Sequence, residues 1–189
     1  MAWITKNSAT EKIDRRDEPW LSDALKERYT ADILPRYETR QAALLPVLHE
    51  LQHEHGWLPH QCLLEVAEFL ELKPADVLDT VSFYEDFYTK PVGTCVIGVC
   101  QSIACEALDH MKLINHIRER LGIEVGETTE DGMFTLRTME CLGACDGAPC
   151  ALFHERRHDN LTVEKVDALI NDIRSHGGKG PNTGFTHEH

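Results

Sequence analysis

Four cysteines in two tight pairs, Cys100-x4-Cys105 and Cys141-x3-Cys145, with 35 residues between the pairs, restrict this chain more than any other feature. Thiols spaced as loops act together only if the fold brings both loops to one place. Each pair follows a short apolar segment with strand character, Thr94 to Cys100 before the first and Met133 to Met139 before the second. Two strand-end loops can therefore meet over one site. Cys100, Cys105, Cys141 and Cys145 are the candidate metal ligands.

The compartment decides how such thiols are read. Seven cysteines is an odd number, no apolar stretch near Met1 resembles a signal-peptide core, and no run approaches a membrane span. The expectation is a reducing cytoplasm, no disulfides and no direct membrane insertion. Glu11, Asp14, Asp17 and Glu18 are unlike a mitochondrial presequence, which is poor in acids. A formal charge of -13 supplies no basic face for nucleic acid.

Length and periodicity divide the 189 residues into one ordinary domain and a smaller one. Residues 1–20 read as a polar, aperiodic arm, with Trp3 and Trp20 as candidates to dock it on a partner. Residues 21–90 read as a small helical bundle. Its first helical pattern, from about Arg36, puts Leu44, Val47, Leu48 and Leu51 on one face, with Pro46 as an expected kink and Gly56 as the stop. A second helix follows Pro59, with Leu63, Val66, Ala67 and Leu70 in a stripe. A third opens at Pro74 and carries Val77, Leu78 and Val81. The aromatic segment Ser82 to Tyr88 and the segment Lys90 to Gly93 lead into residues 91–176, where the period changes. This bundle and the aromatic segment either face a partner or pack internally.

In the second domain a strand at 94–100 leads to a helix from about Cys105 to Leu121, with Ala107, Met111, Ile114, Ile117 and Leu121 inward and Gly122 as its stop. A polar loop from Gly126 to Gly132, a strand at 133–139, the second cysteine loop, a strand near 149–154 and a helix from about Val163 to Ser175 follow. The order β-α-β-β-α fits a compact thioredoxin-like sandwich of mixed α+β or α/β class. Residues 177–189 read as a Gly-rich flexible tail.

The spacing limits what the thiols can hold. Structural zinc usually takes C-x2-C knuckles, although two to four spacer residues occur, so a zinc-stapled binding module is one reading. A redox dithiol needs C-x-x-C, which neither pair has. The x4 spacer resembles the wider loops of plant-type two-iron ferredoxins, and a [2Fe-2S] centre is the sharper reading. Cys105 at a helix start favours a thiolate, and Gly143 and Gly147 let backbone N–H groups turn toward sulfur. Glu106, Glu140 and Asp146 oppose added negative charge.

Cys95, five positions before Cys100 on one strand, points to the opposite face and reads as core, as does Cys62 in the second helix. Cys150 is an open alternative to Cys145, because Cys145-x4-Cys150 repeats the first spacing. The preferred register keeps Cys141 and Cys145, since Pro149 suggests a strand start that carries Cys150 away.

Gly98 to Cys105, Gly126 to Gly132 and Glu140 to Asp146, with Phe83, Tyr84 and the segment Lys90 to Gly93 upstream, together resemble a family of subunits of NADH:quinone oxidoreductase, respiratory complex I. The family is that of its thioredoxin-like [2Fe-2S] subunit, and the resemblance covers roughly residues 30–175. It implies a small N-terminal helical bundle followed by a thioredoxin-like [2Fe-2S] ferredoxin domain, with Cys100, Cys105, Cys141 and Cys145 as ligands. It further implies a flavoprotein partner subunit carrying NADH and FMN, other iron-sulfur subunits of the peripheral arm, and a cytoplasmic place peripheral to the membrane. Similar polypeptides serve as diaphorase subunits of NAD-linked hydrogenases and formate dehydrogenases. Asp109, where the family often has glycine, and Cys150, where it usually has an apolar residue, are departures.

No independent catalytic site is expected in this chain. There is no G-x-G-x-x-G after a strand, and Gly177 to Gly180 lacks the other parts of a phosphate loop. His49-Glu-Leu-Gln-His53 matches the H-E-x-x-H zinc peptidase pattern, but both histidines fall opposite the Leu44, Leu48 and Leu51 stripe, on the face expected to meet solvent. Eleven histidines make a chance match unsurprising. The expected outcome is that Cys100→Ser or Cys141→Ser abolishes the wild-type cluster while Cys95→Ser keeps it, read by visible absorbance. Equal loss in all three would refute the strand-face argument.

Overall fold

The computed structural model describes residues 15–177, so Trp3, most of the arm and the tail beyond Gly177 lie outside the described residues. The chain divides into two compact units between Pro91 and Val92.

The first unit is helical. Helix α1 (Asp23–Asp32) is an element that periodicity does not reveal, because Tyr29 alone among its residues is buried. Its one local signal is Ser22, whose hydroxyl accepts the Leu25 N–H at 3.3 Å as an N-cap. A single 3₁₀ turn at Leu34–Arg36 follows. Helix α2 (Leu44–His55) begins at Leu44, later than the pattern from Arg36 suggests. Pro46 is thus in the first turn, where its missing N–H would have had no partner, and it costs the helix no backbone bond. Gly56, at φ +80°, closes α2 and returns its N–H to the Gln52 carbonyl at 2.6 Å.

Helices α3 (His60–Phe69) and α4 (Pro74–Phe83) complete the unit. Leu44, Val47, Leu48, Leu51, Leu63, Val66, Ala67, Leu70, Val77 and Val81 share one core, and Cys62 fills it. Leu78 departs from its expected stripe and is exposed. Trp20 packs edge-on against His55 and Trp57 with the Arg16 guanidinium 3.6 Å above its ring. Of the aromatic segment, Phe87 is buried in the core, whereas Phe83 and Tyr84 are exposed.

The second unit is a four-stranded sheet in the order β2-β1-β3-β4. Strand β1 (Cys95–Cys100) runs parallel to β2 (Phe134–Met139), pairing Cys95 with Phe134 and Cys100 with Met139. Strands β3 (Ala151–Phe153) and β4 (Arg156–His158) form an antiparallel hairpin beside β1. Strand β4 is an addition to the expected order. Its three residues are charged or aromatic and exposed or half-buried, and a positive φ of 56° at His154 makes the turn.

The expected long helix is two helices, α5 (Ile103–Ala107) and α6 (His110–Leu121). Asp109 adopts φ 59° and ψ 49°, the left-handed region that Asp tolerates, and this breaks the helical phase. Ala107 and Met111 are consequently exposed, while His110, Leu113, Ile114 and Ile117 face inward. Helix α7 (Val163–Ser175) lies where periodicity puts it, with the Thr162 hydroxyl as N-cap. Alternate residues of β1, namely Cys95, Ile97 and Val99, pack with Phe134 and Leu136 of β2 against Ile114 and Ile117 of α6 and Val166, Ile170 and Ile173 of α7.

Gly93, just before β1, brings its backbone so close to β2 that an added Cβ would lie 2.7 Å from the Phe134 carbonyl carbon, and its N–H donates to the Thr135 hydroxyl at 2.6 Å. Backbone cannot swing aside as a side chain can. Gly93→Ala should therefore cost about 1–3 kcal/mol and lower the thermal midpoint of the chain, whereas an unchanged melt would show that β1 and β2 can part at this end.

Candidate metal centre

Parallel pairing of β1 and β2 sends the chain out of both strands at the same end of the sheet. The Gln101 N–H donates to the Met139 carbonyl at 2.9 Å, extending the ladder one residue past Cys100. The Gln101 side-chain amide then donates to the Glu140 carboxylate at 3.0 Å. The two loops are thus tied together immediately before Cys105 and Cys141.

The five cysteines at this end fall into two groups. Sγ of Cys141 and Sγ of Cys145 are 3.7 Å apart on an exposed loop. Cys100, Cys105 and Cys150 are buried, their sulfurs all within 4.8 Å of one another, and Cys105 and Cys150 are 3.8 Å apart. Electrostatics joins the groups. The Cys145 thiol is pushed up by its hydrogen bond to Cys141 and by the Cys141 charge, with Cys105 and Cys100 adding to the shift.

Cys141 moves the other way. The Gly143 backbone N–H is the largest cause of its lowered pKa, followed by the Cys145 thiol, and the Ser102 hydroxyl also favours the thiolate while Glu140 opposes it. Gly143 sits at φ 69°, which lets its N–H turn back toward the sulfur. Ser102 is a contributor that the spacing did not reveal. It stands at the N-cap of α5 without capping that helix, and its hydroxyl goes instead to the sulfur of the opposite loop.

Cys150 differs from expectation. Antiparallel pairing of β3 with β1 places Val99 opposite Ala151, and one step on the Cys100 N–H donates to the Cys150 carbonyl at 3.1 Å. Strand pairing therefore brings Cys150 to the thiols rather than away from them. Burial first, then the neighbouring Cys105 and Cys100, push its thiol up to about 12. Burial likewise raises Cys105, opposed by a backbone N–H from Cys150. Cys95 and Cys62, each pushed up to about 12 by burial, lie in the two cores.

The donor set suits an iron-sulfur group. A thiolate-bound tetrahedral metal, with bonds of about 2.3 Å, separates its sulfurs by about 3.8 Å, and the Cys141–Cys145 pair already stands at that spacing. Soft thiolate donors select iron-sulfur clusters or zinc over hard cations. Among the described residues, the cysteine trio is the one group of three or more metal-ligating side chains drawn together. The H-E-x-x-H segment gathers no third ligand there: His49 and His53 are exposed, the His49 ring rests 4.7 Å from that of Phe87, and Glu50 reaches Arg28 at 3.8 Å.

Residues 30–174 match the family described as thioredoxin-like [2Fe-2S] ferredoxin. An E-type subunit of NADH-quinone oxidoreductase from Rhizobium meliloti, the second of that type by its name, is 40% identical over 140 residues, covering 74% of this chain and 83% of that protein. The E-type subunit of NADH-quinone oxidoreductase from Mycobacterium tuberculosis is 36% identical over 153 residues, covering 81% of this chain and 61% of the relative. The crystal structure of an NAD+-reducing [NiFe]-hydrogenase in the H2-reduced state superposes with a TM-score of 0.63 at 28% identity, over 74% of this chain and 23% of that one.

The register of the second pair is decided by serine substitution and cluster content. Cys145→Ser is expected to lose the wild-type absorbance and Cys150→Ser to keep it. The reverse outcome would move the fourth ligand to Cys150.

Proposed function

The chain belongs to the thioredoxin-like [2Fe-2S] ferredoxin family, and from that premise we propose that it is the E-type, electron-transfer subunit of an NADH:quinone oxidoreductase. In this reading Cys100, Cys105, Cys141 and Cys145 hold one [2Fe-2S] cluster. The group, when bound, supplies a one-electron couple, so the chain itself needs no acid, base or nucleophile. Its redox partner is FMN on the NADH-binding subunit, and the other iron-sulfur subunits of the peripheral arm surround it.

The observation that carries the reading is the arrangement of the four thiols: Cys100 and Cys105 are 2% exposed, whereas Cys141 and Cys145 open to the surface. The buried pair is shielded from water and the exposed pair offers a short approach to a partner. Gly143 and Ser102 direct N–H and O–H dipoles at Cys141, which favours added negative charge, while Glu140 resists it. Ile103 and Leu108, on and just after α5, are 80% and 56% exposed beside Cys105, apolar area of the kind found at the centre of interfaces. No helix among the described residues is long and apolar enough to cross a membrane, which accords with a place in the peripheral arm.

A second reading is favoured by the hydrogenase likeness: the equivalent diaphorase subunit of an NAD-linked hydrogenase. Both readings share the cluster and the flavin partner and differ in the assembly.

Anaerobically purified protein should contain about two irons and two acid-labile sulfides, with a red-brown spectrum that bleaches with dithionite. NADH should bleach it only after the flavin-binding subunit is added. Failure of the zinc-free chain to take up two irons and two sulfides on anaerobic reconstitution, or bleaching by NADH in the isolated chain, would overturn the proposal.

A further inference from the structure

Cys150 is outside the proposed ligand set, yet its thiol is as close to Cys105 as the exposed pair are to each other, 3.8 Å against 3.7 Å. Cys100, Cys105 and Cys150 come from three stretches of chain: the last residue of β1, the middle of α5 and the residue before β3. Each is at most 2% exposed. The Cys100 N–H to Cys150 carbonyl bond of 3.1 Å ties two of the three together through backbone.

Their spacing matches a single thiophilic ion. Thiolate bonds of about 2.3 Å separate sulfurs by about 3.8 Å around a tetrahedral ion and about 4.0 Å around a trigonal one. The three sulfurs lie within 4.8 Å of one another, so movements of up to about half an ångström per sulfur close the site. Zinc(II), with no geometric preference of its own, accepts three protein thiolates with a water in the fourth position.

We propose that Cys100, Cys105 and Cys150 form a zinc(II) site in the chain before its cluster is built. Binding replaces three S–H bonds by three Zn–S bonds and releases three protons to solvent, leaving one net negative charge among the thiolates. The inference goes beyond the electron-transfer reading and concerns a different state of the same end of the sheet. Zinc there occupies two thiols that the cluster requires, so cluster assembly and zinc binding exclude one another.

The test uses the full chain freed of iron and sulfide, reduced and kept anaerobic, titrated with Zn2+ against a chromophoric chelator and with Co2+ to count thiolates by their charge-transfer absorption. Wild type should bind one ion. Cys150→Val should weaken zinc by about 100-fold or more and remove about a third of the cobalt charge-transfer intensity, whereas Cys141→Ser should leave both nearly unchanged. Cys150→Ser, which keeps the side-chain shape, should repeat the loss and so separate it from misfolding of the valine variant.

Undiminished affinity in both Cys150 variants overturns the inference. Equal loss in Cys141→Ser does so too, because zinc would then depend on the exposed pair as well as on the buried trio. Iron and sulfide in the as-isolated Cys150→Val protein report on the cluster reading separately. Their retention beside weakened zinc supports two ligand sets that share Cys100 and Cys105 and differ at Cys150, and their loss would refute the cluster ligand set while leaving the zinc comparison to stand on its own.

Discussion

Parallel pairing of β1 with β2 is the constraint on which the rest of the centre depends. Cys100 and Met139 are opposite one another at the end of the ladder, so the loops carrying Cys105 and Cys141 leave the sheet side by side. Shifting the register by one residue would turn every side chain of a strand to the other face, taking Cys95 out of the core and turning Cys100 into it. The pairing is protected by what it buries. Ile97, Phe134, Leu136, Ile117 and Ile170 are fully buried, and each such side chain contributes about 1.5–3 kcal/mol when removed from water. A parallel connection also needs a crossover, which α5 and α6 supply between the two strands.

Opposing electrostatic influences act on the thiols. The chain carries a formal charge of -13, and Glu106, Glu140 and Asp146 stand exposed beside the cysteines. Against these, the Gly143 N–H and the Ser102 hydroxyl point at Cys141, and the Cys150 N–H points at Cys105. Local dipoles therefore act on sulfurs within hydrogen-bond reach, while the acids act from solvent, where water and salt weaken them. The closest groups have the largest hold on the redox balance of a bound group.

The helical unit shows why a motif has to be weighed with its neighbours. His49 and His53 keep the spacing of a zinc peptidase helix, but the same helix spends its apolar face, Val47, Leu48 and Leu51, on the core and leaves the histidines outside. Chemistry at H-E-x-x-H needs a roofed cleft and a third ligand. Cysteine spacing, by contrast, coincides with strand ends, and family membership over residues 30–174 agrees with that signal.

Much of the fold was legible because it is local. The stripe of α3, the stop at Gly56 and the span of α7 follow from helical period and end residues, and strands β1 and β2 from short apolar runs. Helix α1 escaped because its residues carry no apolar stripe, and β4 because an exposed three-residue edge strand leaves little pattern. The break at Asp109 is a backbone event with no hydrophobic signature, and it moved Met111 out and Leu113 in. By itself the sequence determined which side chains could bind a soft metal and where the strand ends lie, since both depend on residue type and short spacing. Only the tertiary structure decided that Cys150 joins Cys100 and Cys105 and that Ser102 serves Cys141, because those neighbours are set by β1–β3 and β1–β2 register across more than 30 residues of chain.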